Sequence, residues 1–212
     1  MRSIDDLAAE IETTLRNRFG DKKRALIALA GPPGAGKSTL ADALVQRLNA
    51  NLPDTPAVVV PMDGFHYDNL ILDARGLRAR KGAPETFDTS GFLALLHHLR
   101  FATDDVAIPV FDRLIDLSRA SARMIEPRHR LLVVEGNYLF LDRPLWRDLG
   151  PLFDFKIMLR PSLEVIEERL IQRWLDYGYP RDEAIAKARG NDLANAELIL
   201  SESGPADMML QD

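Results

Sequence analysis

Gly31-Pro32-Pro33-Gly34-Ala35-Gly36-Lys37-Ser38 is the stretch that decides the fold. Glycines at its first and sixth places, followed by Lys and Ser, let successive backbone N–H groups turn inward around phosphate oxygens. The flanks suit that use. The apolar run 25–30 reads as a buried strand, and Leu40, Leu44 and Leu48 recur at helical spacing after the loop. Gly31, Pro32, Gly34, Ala35, Gly36, Lys37, Ser38 and Thr39 are therefore the expected nucleotide-binding residues. Lys37 is expected on the β- and γ-phosphates and Ser38 on Mg²⁺, with the helix N-terminus adding a positive dipole end. A glycine-rich turn before an ordinary helix is the alternative.

Outward from this loop the chain alternates strands and helices. A helix is predicted over 3–19, with Ile4, Leu7, Ile11, Leu15 and Phe19 on one face, Ser3 and Asp6 as a capping box and Gly20 as its stop. Buried strands are predicted at 57–62, 131–134 and 153–159, a short strand-like piece at 106–111 and a last strand at 206–210. Helices are predicted at 91–101, 162–177 and 181–200, and 66–90 reads as a long polar loop. This order indicates an α/β protein with a parallel sheet covered on both faces. At 212 residues one domain suffices.

Composition narrows the chemistry. The chain has no cysteine, which removes disulfides, thiolate metal sites and Cys nucleophiles. Its start lacks the apolar core of a signal peptide, no apolar run approaches the ~20 residues of a membrane span, and a cytoplasmic location is expected. A net charge of −5 argues against nucleic acid as the main partner. There is no Asn-Lys-x-Asp guanine-reading string and no Leu-Ser-Gly-Gly-Gln transporter signature.

In open parallel sheets ligands bind beyond the carboxyl ends of the strands. Glu135 closes one predicted strand where such proteins hold Mg²⁺ or its waters; a helix cap or surface acid is its alternative. Asp63 closes another and is placed to take a proton from a substrate hydroxyl, or else it makes an Asx-turn before Gly64. His66 either touches substrate or is a plain loop residue. Arg169 and Arg173 lie four apart and share a helix face that can close over ATP, unless Glu164, Glu167 and Glu168 simply pair with them on the surface. Arg160-Pro161 and Gly178-Tyr179-Pro180 flank that helix as candidate hinges. Arg75, Arg78, Arg80 and Lys81 suit an anionic substrate or product phosphate, or a solvated loop.

These residues lead to a resemblance. From about residue 23 onward the chain resembles the P-loop small-molecule kinases that include uridine kinase, phosphoribulokinase and bacterial pantothenate kinase. Within them it is most similar to the group named fructose transport system kinases, or P-loop nucleoside triphosphate hydrolase domain proteins. The likeness rests on Gly31 to Ser38, Pro61 to His66, Gly82 to Asp88, Pro109 to Arg113, Val134 to Leu139, Asn191 to Asn195 and Ala206-Asp207, in that order.

The resemblance implies a single P-loop kinase domain over 1–212, with residues 1–20 as an N-terminal helix and a helical lid at about 162–190. It implies a three-layer P-loop NTPase fold whose five parallel strands run in the order 2-3-1-4-5. It implies Mg²⁺-dependent transfer of the ATP γ-phosphoryl to a hydroxyl of a small metabolite, with a sugar such as fructose favoured. Asp63 maps to the base. Asp63, His66, Pro84, Asp88, Asp112, Arg113 and Tyr138 map to the acceptor side, and Asn191 and Asn195 fall near the adenine. Uridine kinases continue the Pro-x-Tyr-Asp stretch with Phe-x-x-His-Ser-Arg, whereas this chain reads Arg113-Leu114-Ile115-Asp116-Leu117-Ser118, which speaks against uridine. The rival readings are a nucleotide-dependent regulatory NTPase linked to a transporter, and a nucleoside or pantothenate kinase. Neither nucleic acid nor membrane insertion is expected, and a homodimer is compatible with the sequence.

Overall fold

The computed structural model describes residues 3–19, 24–54 and 56–211. Gly20, read as the stop of the first helix, and the side chains of Ile4 and Leu7 lie outside the described residues. Five strands form one parallel sheet: β1 (Ala25–Ala30), β2 (Ala57–Pro61), β5 (Leu131–Gly136), β6 (Phe155–Leu159) and β7 (Met208–Leu210). Their spatial order is β2-β5-β1-β6-β7. Two further strands, β3 (Val106–Asp112) and β4 (Leu117–Ile125), pair only with each other, as an antiparallel hairpin. With the hairpin left aside, the order is the 2-3-1-4-5 that the resemblance implies.

The central strands are apolar throughout because both sheet faces are covered. Along β1, Leu26, Ala28 and Ala30 face one core while Ile27 and Leu29 face the other. The second core is closed by Ile11, Leu15 and Phe19 of α1 (Ile4–Phe19) and by Leu40, Leu44 and Leu48 of α2 (Lys37–Asn51). The first is closed by Phe92, Leu96 and Leu99 on the later α4 (Thr89–Phe101), together with Ile108 and Ile125 of the hairpin. Each large apolar side chain so covered contributes ~1.5–3 kcal/mol relative to exposure. The capping box on α1 forms as read: Ser3 N donates to Asp6 Oδ2 at 3.2 Å, and Asp6 N to Ser3 Oγ at 3.1 Å.

Three local readings are corrected. The stretch 66–90 is not a bare loop, since it carries the short helix α3 (Asn69–Ala74) and two 3-10 turns at 78–80 and 84–86. Residues 117–125 form a strand that the sequence does not announce: most of its positions are exposed or half-buried, so no apolar alternation marks it. The single helix predicted over 181–200 is broken into α6 (Arg181–Lys187) and α7 (Leu193–Glu202) by a π-turn at Ala188–Asp192, where Gly190 leaves helical geometry at φ −76° and ψ −112°. With α5 (Leu163–Asp176), these elements share a small core of Ile166, Leu170, Ala188 and Ala196, separate from the two that cover the sheet. No helix among the described residues is long and apolar enough to cross a membrane.

Candidate active site

The glycine loop joins β1 to α2 at the carboxyl end of the sheet. Gly34 and Gly36 take left-handed φ values of 78° and 87°, which a side chain at either position would resist. Gly31 is fixed by contact instead, since a Cβ there would stand 2.8 Å from the Leu159 carbonyl oxygen. The result is a curl that ends at Gly36, the N-cap of α2, with Lys37 and Ser38 in the first helical turn. Helix N-termini leave backbone N–H groups unpaired, so this end of α2 is disposed towards an anion.

Lys37 is buried, and its Nζ donates to the Pro32 carbonyl at 2.9 Å. Burial lowers its pKa to about 8, while Glu135 and Asp63 act to hold the proton. Glu135, at the carboxyl end of β5, is also buried and accepts from Ser38 Oγ at 3.4 Å. Burial first, then the charge of Asp63, push its carboxyl up to about 7, against the pull of Lys37, Arg113 and Ser38. A hydroxyl beside a carboxylate is an all-oxygen pair that fits Mg²⁺, a cation usually held by one or two protein oxygens plus phosphates and water. Among the described residues there is no group of three or more His, Cys, Asp or Glu side chains able to hold a metal, so a cation here would lean on phosphate oxygens.

Asp63 sits in the 3-10 turn 62–65 that follows β2, and its Oδ2 accepts from Arg113 Nη2 at 3.1 Å. Burial works against the charge on Arg113, but Asp63 and the hydrogen-bonded Tyr177 side chain outweigh it, and its pKa lies above the ordinary guanidinium value. The turn is pressed against the hairpin. A Cβ on Gly64 would come within 2.4 Å of the Pro109 carbonyl oxygen, and Ser118 Oγ donates to the Gly64 carbonyl. His66 stacks between Phe87 and Phe111, with ring centroids 4.1 and 4.5 Å away, and its Nδ1 lies 2.7 Å from the Asp63 carbonyl oxygen. Burial keeps its pKa below the ordinary imidazole value.

Several other residues read as acceptor-side have their polar atoms engaged within the protein. Tyr138 is fully buried, and its hydroxyl donates to the Gly82 carbonyl at 2.6 Å. Asp88 caps α4 by accepting from Gly91 N at 2.9 Å. Asp112 accepts from Leu114 N at 3.1 Å in the hairpin turn and pairs with Arg119 at 3.4 Å. Pro84 opens the 3-10 turn 84–86.

The helices over 163–202, expected to act as a lid, contact both the glycine loop and residues 66–90. Arg169 Nη1 lies 3.5 Å from the Gly34 carbonyl oxygen, and Leu170 packs where a Cβ on Gly34 would stand 3.3 Å from its Cγ. Arg173 pairs with Asp192 at 2.7 Å, and Trp174 Nε1 donates to the same carboxylate at 2.9 Å. Asn191, expected near the adenine, reaches instead the stretch 66–90, where its Nδ2 donates to the Lys81 carbonyl at 2.8 Å. Asn195 is buried on α7. The sequence did not single out Asn69, Asp116 or Asp192, because their partners lie 12 to 47 residues away in the chain. The pattern thus unites a phosphate cradle, a Ser–Glu oxygen pair and an arginine-held aspartate at the ends of adjacent strands.

Known proteins share this frame. A crystal structure from Silicibacter sp. TM1040, titled "putative fructose transport system kinase", superposes with a TM-score of 0.89 at 45% identity over 99% of both chains. A Schizosaccharomyces pombe protein named "Putative uridine kinase C227.14" is 36% identical over 197 residues, 90% of this chain and 84% of its own length. Pantothenate kinase of Limosilactobacillus reuteri is 30% identical over 207 residues, 87% of this chain and 67% of its own. The model of the Phosphoribulokinase / Uridine kinase family matches residues 26–189, and the chain belongs to that family of P-loop kinases.

Proposed function

We propose that this chain moves the γ-phosphoryl group of ATP onto a hydroxyl of a small metabolite, with a sugar such as fructose as the leading acceptor. One observation carries the reading: Asp63, Glu135 and Lys37 lie close enough at the ends of the neighbouring strands β2, β5 and β1 for each to act on another's charge. Proton acceptor, metal carboxylate and phosphate lysine thereby share one locus.

In this reading the loop amides and Lys37 hold the β- and γ-phosphates, and Ser38 and Glu135 hold Mg²⁺. The bound metal neutralises charge on the transferring group. Asp63 receives the hydroxyl proton as the acceptor oxygen attacks phosphorus and ADP leaves, and the Arg113 hydrogen bond aims that carboxylate. Arg169 reaches the phosphates from the lid, and Arg173 joins it once released from Asp192. Positioning and charge stabilisation supply most of the rate in such transfers, and a placed base adds ~10²–10⁴-fold.

The test is coupled ADP release across sugars, nucleosides, pantothenate and glycerate, with a no-acceptor control. Acceptor-dependent release supports the kinase. A second reading, a nucleotide-dependent regulator linked to a transporter, is favoured by Leu70, Leu114 and Ile115, which are 79%, 95% and 60% exposed near the acceptor loop. It predicts equal ADP release with and without every acceptor.

A further inference from the structure

The basic loop that suits an anionic acceptor in the sequence is neutralised from within. Arg78 pairs with Asp73 at 3.2 Å and approaches Asp116 at 3.9 Å. Arg80 pairs with Glu85 at 3.4 Å, Arg113 with Asp63 at 3.1 Å and Arg119 with Asp112 at 3.4 Å. Arg75 lies over the ring of Tyr67, 4.7 Å from its centroid.

Lys81 is the decisive member. Its side chain is only 13% exposed, and Nζ meets Asn69 Oδ1 at 2.7 Å, Asp116 Oδ1 at 2.8 Å and the Asp116 carbonyl at 2.8 Å. An ammonium has three N–H donors, and all three are taken. A phosphate or carboxylate on the acceptor would have to displace these partners and then face the freed Asp116 carboxylate. Like charges brought together in this way penalise the wrong ligand. The floor nearby is aromatic: Phe111 lies 5.0 Å from Lys81 Nζ by its ring centroid, with His66 stacked on it. Ring faces beside hydrogen-bonding groups suit the C–H face and hydroxyls of a carbohydrate-like molecule.

We propose that the acceptor is an uncharged polyol, and that Asp116 enforces this choice by holding Lys81 away from anionic competitors. The inference rests on the kinase reading and narrows its substrate class. It places pantothenate, glycerate and sugar phosphates outside the preferred acceptors.

The experiment compares matched pairs in the ADP-release assay: fructose with fructose 6-phosphate, glycerol with glycerate, and pantothenyl alcohol with pantothenate. The neutral member of the pair that supports turnover should exceed its anionic partner in kcat/KM by about tenfold or more. Asp116→Asn is the second arm. Asp116 has a left-handed φ of 52°, which Asn accepts, so the turn is kept while the charge on Lys81 is unmasked. This variant should move the ratio towards the anionic member by about tenfold. A wild-type preference for the anionic member overturns the inference and leaves the kinase reading standing. A D116N variant that slows both members equally reduces Asp116 to a structural residue and overturns its assigned role. ADP release that no acceptor raises above the control overturns this inference and the kinase reading together.

Discussion

The side-chain amide of Asn191 donates to the Lys81 carbonyl at 2.8 Å, so the π-turn 188–192 and the stretch 66–90 are joined across 110 positions of sequence. The neighbouring Asp192 grips Arg173 and Trp174 of α5. These bonds link the loop that carries Lys81 to the helix that carries Arg169 and Arg173.

Asn191→Ala should raise the acceptor KM by about fivefold, the worth of one neutral hydrogen bond of ~1 kcal/mol, with ATP affinity unchanged. Steady-state kinetics in both substrates check this. A rise in ATP KM with acceptor KM unaltered would instead restore the adenine-side role implied by the resemblance.

Asp63→Asn should lower kcat by ~10²–10⁴ while nucleotide binding persists, because the amide keeps the shape and loses the proton acceptor. Single-turnover chemistry, with ATP affinity measured separately, separates the two effects. Unchanged turnover would remove Asp63 from the reaction.

Two buried charges set the pH response. Glu135 titrates at about 7 in the folded protein against an ordinary 4.5, so between those values the unfolded chain binds fewer protons and stability falls as pH rises. Lys37 titrates at about 8 against an ordinary 10.5, so its contribution improves as pH rises through that upper window. Thermal melts of Glu135→Gln should lose the decline between pH 4.5 and 7 that the parent shows. The proposed roles require Glu135 ionised and Lys37 protonated, so kcat/KM for ATP should be bell-shaped, with limbs near 7 and 8.

Arg24 supplies a prediction about folding alone. Its guanidinium donates to the carbonyls of Leu99, Ala102, Glu126, Pro127 and His129, stapling the end of α4 to the turn before β5. Arg24→Ala should cost about 2–4 kcal/mol, since several carbonyls lose a charged donor together. Denaturant titration measures the loss, and kcat well below the melting temperature should not move. An unchanged midpoint would show that water replaces the staple freely.

What the sequence disclosed follows from how locally each feature is encoded. The parallel sheet was legible because each inner strand is a short run of unbroken apolar residues, and its order came from the family resemblance. The phosphate loop was legible because glycine, lysine and serine act at fixed short spacing. The strand 117–125 was hidden because the hairpin holds it by pairing and not by burial, with Ile125 its one buried residue. The break at Gly190 was hidden because a lone glycine within a helical pattern is ordinary. Arg24 and Asn191 were illegible in role, since the carbonyls they bind carry no side-chain signature and lie 75 to 110 residues away.

Gly64 has a consequence for how this site can change. The backbone carrying Asp63 touches the backbone of Pro109 with no room for a side chain between them. The distance from Asp63 to the hairpin that carries Phe111 is thus written in main chain, beyond the reach of most substitutions. Variation is left to the outer end of the hairpin, where Leu114 and Ile115 stand in solvent. A lineage could exchange one acceptor for another there and inherit its catalytic spacing intact.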